Sequence, residues 1–179
     1  MGDVGTIRTK SGKTLTIRPL AAEDVDECMR YINILIAEDT FILMSGVPVT
    51  RDEEVKWLRG ALKDVEDKQV VSLLVFDGQK LVANSSIKKR LRRISHIGDF
   101  GITVAKEYRG QGIGKQLMNL VLDDARKIGI QIAVLEAFGN NEIACAMYQA
   151  LGFREFGRLP KSLVYQGKEI DLILMYKRL

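Results

Sequence analysis

Apolar positions along the chain switch between two periods. From Thr14 to Leu20, Leu15 and Ile17 lie two apart, the spacing of a strand with one buried face, and Pro19 confines that strand to an edge or an end. From Asp24 onward Val25, Cys28, Met29, Ile32, Leu35 and Ile36 recur three and four apart, which predicts a helix whose apolar stripe lies on a sheet. The sequence Thr50-Arg51-Asp52-Glu53 is a capping box and announces a second helix with the stripe Val55, Leu58, Leu62 and Val65. Between them, Phe41 to Val49 is apolar but aperiodic, which predicts a loop that covers something. Val70 to Phe76 is β-branched and stops at Asp77-Gly78, a hairpin signal that pairs it with a strand from about Lys80 to Lys89.

The second half repeats strand and helix in alternation. Ile97 to Ala105 reads as a strand. Gly114 to Ile128 carries Leu117, Leu120, Val121, Leu122, Ala125 and Ile128 as a long helix that stops at Gly129. Ile130 to Leu135 is apolar without interruption, the pattern of a central strand covered on both faces. Asn141 to Leu151 is a helix presenting Ala144, Met147, Tyr148 and Leu151, with Gly152 as its stop, and Phe153 to Leu159 and Ile170 to Met175 complete the sheet. No repeat or Gly/Ser-rich linker interrupts the series, so residues 1–179 are expected to form one mixed α/β domain.

Composition narrows the class of protein. With 46% hydrophobic and 28% charged residues and 3 prolines, the chain fits a globular protein and excludes collagen-like and disordered classes. No charge-free stretch is longer than Thr40 to Thr50, which is far shorter than the ~20 apolar residues of a membrane span and contains Gly46 and Pro48. The opening MGDVGTIRTK has no apolar core of a secretory signal, so the expected address is cytoplasmic. Gly2 and Thr6 match a myristoylation pattern, but one short enough to arise by chance, and no second anchor follows. The 27 Lys and Arg against 23 Asp and Glu give a net charge of +4, a mild excess that favours phosphate-bearing ligands without demanding nucleic acid. Cys28 and Cys145 form no CxxC pair, so neither a zinc site nor a disulfide framework is expected, and no metal is.

The chemistry concentrates in Ile102-Thr103-Val104-Ala105-Lys106-Glu107-Tyr108-Arg109-Gly110-Gln111-Gly112-Ile113-Gly114. A β-branched strand runs into a glycine-dense turn from which a long helix leaves. Glycines admit a ligand close to the backbone, and the first amides of a helix have no intrahelical partner, so the turn suits a pyrophosphate. It is not a P-loop, because Arg109 stands where glycine is required and Gln116 where Ser or Thr is required. Nor is it a dinucleotide fingerprint, whose third glycine would fall on Lys115 or Leu117.

Arg109-x-x-Gly112-x-Gly114 after an Ile-Thr-Val strand resembles the GNAT family of N-acetyltransferases. Further on, Leu135-Glu136, Asn141, Ala144, Tyr148 and Leu151-Gly152-Phe153 resemble the family's second stretch in the right order. Lys106 departs from the proline the family often has, a turn preference. Ser95 to Ile102 is similar to a subgroup that acetylates small amines and amino acids. The resemblance implies an α/β (α+β) fold with a mixed central sheet of six to seven strands, a splayed central parallel pair and about four flanking helices. It implies that residues 96–160 bind acetyl-CoA and that strand 14–20 with its following helices forms the acceptor side.

Within that resemblance, the Ile102, Thr103 and Val104 strand pairs with pantetheine as an added strand would. The amides of Gly110, Gln111, Gly112, Ile113, Gly114 and Lys115, next to Arg109, hold the pyrophosphate, and Asn141 contacts the pantetheine arm. Asn141 and Tyr148 lie about two helical turns apart on one face. Acyl transfer needs a neutral amine, stabilisation of the oxyanion and a proton for the thiolate. Tyr148 is the expected acid; its bland alternative is a core tyrosine bonded to a carbonyl. Glu136 is the expected base, through water; His96, the single histidine, is a further candidate relay. Cys145 is expected to pack. The implied function is direct transfer of acetyl from acetyl-CoA to a primary amine of an amino acid, a small amine or a protein N-terminus, in a ternary complex. Phe41, Tyr165 and Tyr176 are candidates to line the acceptor pocket. Net basic charge gives no lean toward polyamines, which would want acidic clusters such as Asp64, Glu66 and Asp67. The relatives' habit of pairing through terminal strands makes a homodimer an expectation. Two alternatives stay open: a non-catalytic sensor of CoA, and a nucleic-acid binder using the basic Lys88 to Arg93, whose bland reading is a solvated hairpin tip with no interleaved aromatics.

Overall fold

The computed structural model describes residues 5–179, so Gly2 of the acylation-like start lies outside the described residues. Eight strands form one sheet: β1 (Gly5–Arg8), β2 (Thr14–Pro19), β3 (Val70–Asp77), β4 (Lys80–Lys89), β5 (Ile97–Val104), β6 (Ile132–Phe138), β7 (Arg154–Tyr165) and β8 (Lys168–Arg178). Their order is β1-β2-β3-β4-β5-β6-β8-β7. All neighbours are antiparallel except β5 and β6. The four helices are α1 (Val25–Ala37), α2 (Arg51–Glu66), α3 (Ile113–Lys127) and α4 (Glu142–Ala150).

The mixed sheet, the parallel pair and the four helices agree with the expected fold class, but the sheet has eight strands where six to seven were expected. The extra strand is β1, four residues of which only Ile7 is buried, too short to show a period. It covers β2, so Pro19 sits at a strand end and not at a sheet edge.

Alternation along the strands sends side chains into two cores on opposite faces. Leu74 and Phe76 of β3 share one core with Cys28, Tyr31 and Leu35 of α1 and Leu58 of α2, while Val75 belongs to the other, with Leu117, Val121 and Ala125 of α3 and Tyr148 of α4. The capping box of α2 forms as the sequence predicts: Thr50 Oγ1 accepts from the Glu53 amide at 3.4 Å, and Glu53 accepts from the Thr50 amide at 2.8 Å. Asn141 caps α4 by accepting from the Ala144 amide at 3.2 Å.

The parallel pair sets the site. β5 and β6 are in register only at Ile97, Gly98 and Asp99 opposite Ile132, Ala133 and Val134, after which they diverge. β6 stays paired to β8 along its length, so the divergence opens a gap beside β5 alone.

Candidate active site

Beyond Asp99 the backbone of β5 faces the gap with part of its hydrogen-bonding capacity unused. Val104 lies opposite Ala83 of β4, and the Ala105 amide donates to the Val82 carbonyl at 2.8 Å. That pattern marks Val104, and with it Ile102 and Phe100, as the positions that turn their own N–H and C=O groups away from β4 and into the gap. Thr103 and Gly101 bond the other way, toward β4. An extended ligand chain can therefore add to β5 from Phe100 to Val104 as a strand would.

The gap is a cleft of about 450 Å³. Leu135 to Phe138 of β6 form its second wall, Asn141, Ala144 and Tyr148 close it from α4, and Phe41 to Leu43 form a lip. Phe41 stacks on Tyr165 at 4.9 Å between centroids and meets Phe138 edge-on, so these three rings seal one end. Tyr176 packs on Phe156 instead and does not line the cleft.

Tyr148 is 8% exposed, and its hydroxyl has no hydrogen-bond partner among the described residues. No fully enclosed side-chain oxygen or nitrogen among the described residues is left unpaired, so the hydroxyl opens onto the cleft and not onto a core carbonyl. Burial, with Cys145 beside it, pushes the phenol up to about 12, so it is protonated throughout the neutral range. Glu136, on the opposite face of the sheet, is exposed and lines the same cleft. Its charge is felt by Arg90, whose guanidinium is bound chiefly to Asp99 at 2.6 Å. The structure thus brings Tyr148 and Glu136 to one cleft from two faces of the sheet.

His96 is not brought there. It precedes β5 on the closed side of the divergence, where its carbonyl accepts from the Gln131 and Ile132 amides at 2.8 and 3.1 Å. Four residues of strand, about 13 Å, separate it from Phe100 where the gap opens. Cys145 packs as expected: burial raises its thiol and its Sγ lies 4.0 Å from the Phe138 carbonyl.

The glycine turn leads from β5 into α3. Gly112 holds φ at 80° and caps α3 without a side chain, and Gly114 lets the helix approach its neighbours, since a Cβ there would lie 3.2 Å from Met147 Sδ. The amides of Ile113, Gly114 and Lys115 begin the helix with no carbonyl before them to accept, the disposition that binds phosphate oxygens. Asn141 uses Oδ1 in its cap, and its Nδ2 has no partner among the described residues, free to donate into the cleft.

Arg109 does something else. Its guanidinium pairs with Glu38, with one bond at 2.8 Å, reaches Thr40 at 3.2 Å, and donates from Nε to the Val104 carbonyl at 2.9 Å. The side chain ties the end of β5 to the Phe41 lip and is turned away from the turn's amides. Another cation, which the sequence reading missed, comes from far off in the chain. The β1–β2 turn docks on the glycine turn, with the Lys10 amide on the Gln111 carbonyl at 3.0 Å and Gln116 Nε2 on the Arg8 carbonyl at 2.9 Å. Lys10 lies beside Gly112 with no carboxylate partner among the described residues. Nothing in the local sequence around Lys10 could have signalled this; only strand pairing puts it there.

A second cavity, of about 550 Å³, opens on the other side of Thr103. Tyr31 and Cys28 of α1, Glu53, Glu54 and Trp57 of α2, Met44, Val47 to Thr50 and Asn84 line it. At its floor Tyr31 Oη lies 3.0 Å from Thr103 Oγ1, which donates to Asn84 Oδ1 at 2.6 Å. Thr103 also lines the cleft, so it is the wall the two spaces share. The aperiodic Phe41 to Val49 segment covers both.

Outside these spaces, the Lys88 to Arg93 cluster joins β4 to β5, and two of its cations are paired, Lys88 with Asp64 and Arg90 with Asp99, both at 2.6 Å. Among the described residues no group of three or more His, Cys, Asp or Glu could hold a metal ion, and no helix is long and apolar enough to cross a membrane.

Comparison with known proteins yields a consistent set. The sequence pattern of the acetyltransferase (GNAT) family matches residues 30–153. An N-alpha-acetyltransferase 30 from Schizosaccharomyces pombe is 43% identical over 58 residues, a match that spans 32% of this chain and only 39% of that protein. A GNAT-family acetyltransferase of Streptococcus pneumoniae superimposes with a TM-score of 0.83 at 28% identity, covering 92% of this chain and 99% of the other. A phosphinothricin acetyltransferase from Sinorhizobium meliloti, solved with acetyl-CoA, superimposes with a TM-score of 0.79 at 18% identity over 92% of this chain and 88% of the other.

Proposed function

This chain belongs to the GNAT family of acetyltransferases, and on that premise we propose that it transfers acetyl directly from acetyl-CoA to a primary amine, with both substrates bound together. The carrying observation is Tyr148: a buried phenol whose unpartnered hydroxyl opens onto a cleft walled by one unpaired strand edge.

The residues present suit the cosubstrate. The outward backbone groups of Ile102 and the Val104 amide suit the amides of a pantetheine arm, the Val104 carbonyl being taken by Arg109, and the glycine turn with Lys10 and Lys115 suits the diphosphate. Asn141 Nδ2 adds a donor along the arm. Acetyl-CoA supplies a thioester, an acyl carbon open to attack by an amine. Glu136 takes the ammonium proton through water, which lets the amine form the C–N bond as the C–S bond breaks. An ammonium with a pKa of about 10 is a poor donor to a carboxylate, so the apolar surroundings of the acceptor must lower it. Tyr148 donates to the departing sulfur, and the second nitrogen proton, released as the C–N bond forms, returns through water to the phenolate. A free thiol is a stronger acid than this phenol, but sulfur leaves into the same apolar surroundings that raise the phenol, and these raise its own proton affinity. Arg109 acts by position, pinning the lip through Glu38.

The experiment is Tyr148→Phe, assayed by thiol release over an amine panel and by calorimetry with acetyl-CoA. Turnover is expected to fall by about 10²–10⁴-fold while acetyl-CoA still binds. Full turnover in the variant would remove Tyr148 from the acid role. Binding of acetyl-CoA by the native chain with no transfer to any amine would favour a sensor of CoA instead.

A further inference from the structure

α2 turns a carboxylate toward the interior. Glu54 is 6% exposed and lines the second cavity, and its carboxylate has no hydrogen-bond or ion-pair partner among the described residues. Its neighbour Glu53 is spoken for by the cap on Thr50. Because no fully enclosed side-chain oxygen among the described residues goes unpaired, the Glu54 carboxylate opens into the cavity. Burial raises its pKa, the mark of a charge that lacks compensation. No Lys or Arg lines the cavity; besides Glu53, exposed at its rim and bonded to Thr50, the rest of its wall is apolar, chiefly Ile32, Met44, Val47 and Trp57, or neutral and polar, Tyr31, Asn84 and Thr103. Glu54 comes from the α2 side, whereas Thr103 lies on the sheet side next to the acetyl cleft.

We propose that this cavity takes an acceptor with two amino groups joined by an apolar spacer, one presented at Thr103 for acetylation and the other held by Glu54. The inference rests on the acetyltransferase reading of the cleft and names the substrate class of that reaction. The cation of the distal amine compensates the buried carboxylate, which a monoamine of the same length leaves unpaired. A free amino acid with its carboxylate at that end brings a second anion to a wall without a cation. The cavity volume falls within the range of small-ligand sites. Asp64, the acidic residue that a polyamine reader would look to first, is occupied by Lys88.

The test uses diamines from putrescine upward, each set against the monoamine and the ω-amino acid of equal chain length, with acetyl-CoA and thiol release as readout. The best diamine is expected to exceed its monoamine in kcat/KM by about tenfold or more, and its ω-amino acid by more still. Glu54→Gln should bring the diamine-to-monoamine ratio near one, through KM. Independently of activity, the diamine alone should raise the Tm of the native chain and not that of Glu54→Gln. Monoamines equal to diamines at every length, or a preference that survives Glu54→Gln, overturns the inference. If no amine is acetylated, the acetyltransferase reading fails, while a Glu54-dependent rise in Tm still upholds the diamine site and its absence overturns it.

Discussion

The two spaces on either side of Thr103 are built in opposite ways. The cleft between β5 and β6 is made largely of main chain: the outward groups of Phe100 to Val104, the amides that open α3 and the cap of α4, all drawn from residues 99–148 apart from the Phe41 to Leu43 lip and Leu172 of β8. The cavity beneath α2 is made of side chains brought from α1, the segment before α2, α2, β4 and β5, and its one buried charge is Glu54. On the proposed reading the backbone groups meet a feature common to every acetyl-CoA, so they need a fixed path and glycine where φ demands it. The proposed acceptor meets side chains instead, and these can vary without disturbing that path. The contrast explains why a family pattern reaches through residue 153 yet leaves the acceptor open.

The sharpest way to break this contrast is Gly112→Val. A β-branched residue at φ of 80° costs on the order of 1–3 kcal/mol of backbone strain. Calorimetry should show acetyl-CoA affinity down by roughly 10- to 100-fold, with diamine-induced stabilisation at the cavity retained. Retained affinity for acetyl-CoA would move the nucleotide away from this turn.

A smaller effect isolates the other side. Glu54 has a folded pKa above its unfolded one, so the folded chain holds the proton more tightly: no penalty exists below the unfolded pKa, and the full penalty is present once pH exceeds the folded pKa. Glu54→Gln should therefore raise the Tm at neutral and higher pH by a few degrees, at about 2–4 °C per kcal/mol. The gain should vanish as pH falls below the ordinary carboxylate range. A gain independent of pH would mean that the native carboxylate carries no burial penalty. The smallest effect concerns Lys10→Ala, which removes one exposed cation beside Gly112 and should weaken acetyl-CoA binding by about two- to fivefold at low salt. Raising ionic strength should erase the difference. A loss that is insensitive to salt would point to the turn's docking and not its charge.

Much of the frame was legible in the chain itself. The period-two run at Leu15 and Ile17, the capping box at Thr50, the Asp77-Gly78 hairpin and the stops at Gly129 and Gly152 each correspond to an observed element or boundary. Where boundaries moved, a specific bond explains the shift. The central strand expected from Ile130 begins at Ile132, because the Ile130 amide is still spent on the Ala125 carbonyl at the end of α3. β7 and β8 run longer than their apolar residues suggest; most of β7 is exposed, so its pairing with β8 leaves no alternation to read.

Of the candidate site, sequence order sufficed for the glycine turn, Asn141, Glu136 and Tyr148, because a contiguous motif and a helical spacing fix which backbone groups lie free and which side chains share a face. It could not separate an acid-capable tyrosine from a core one; that depends on whether a carbonyl meets the hydroxyl, a matter of packing between α4 and the sheet. It also could not place Lys10 beside Gly112, turn Arg109 toward Glu38, or leave Glu54 facing a cavity. Local periods set φ, ψ and the buried face of each element through neighbours a few residues away. The surroundings of a charge are set by elements far apart in the chain that meet only when the sheet closes, and that is where the surroundings of Glu54, Arg109 and Lys10 were decided.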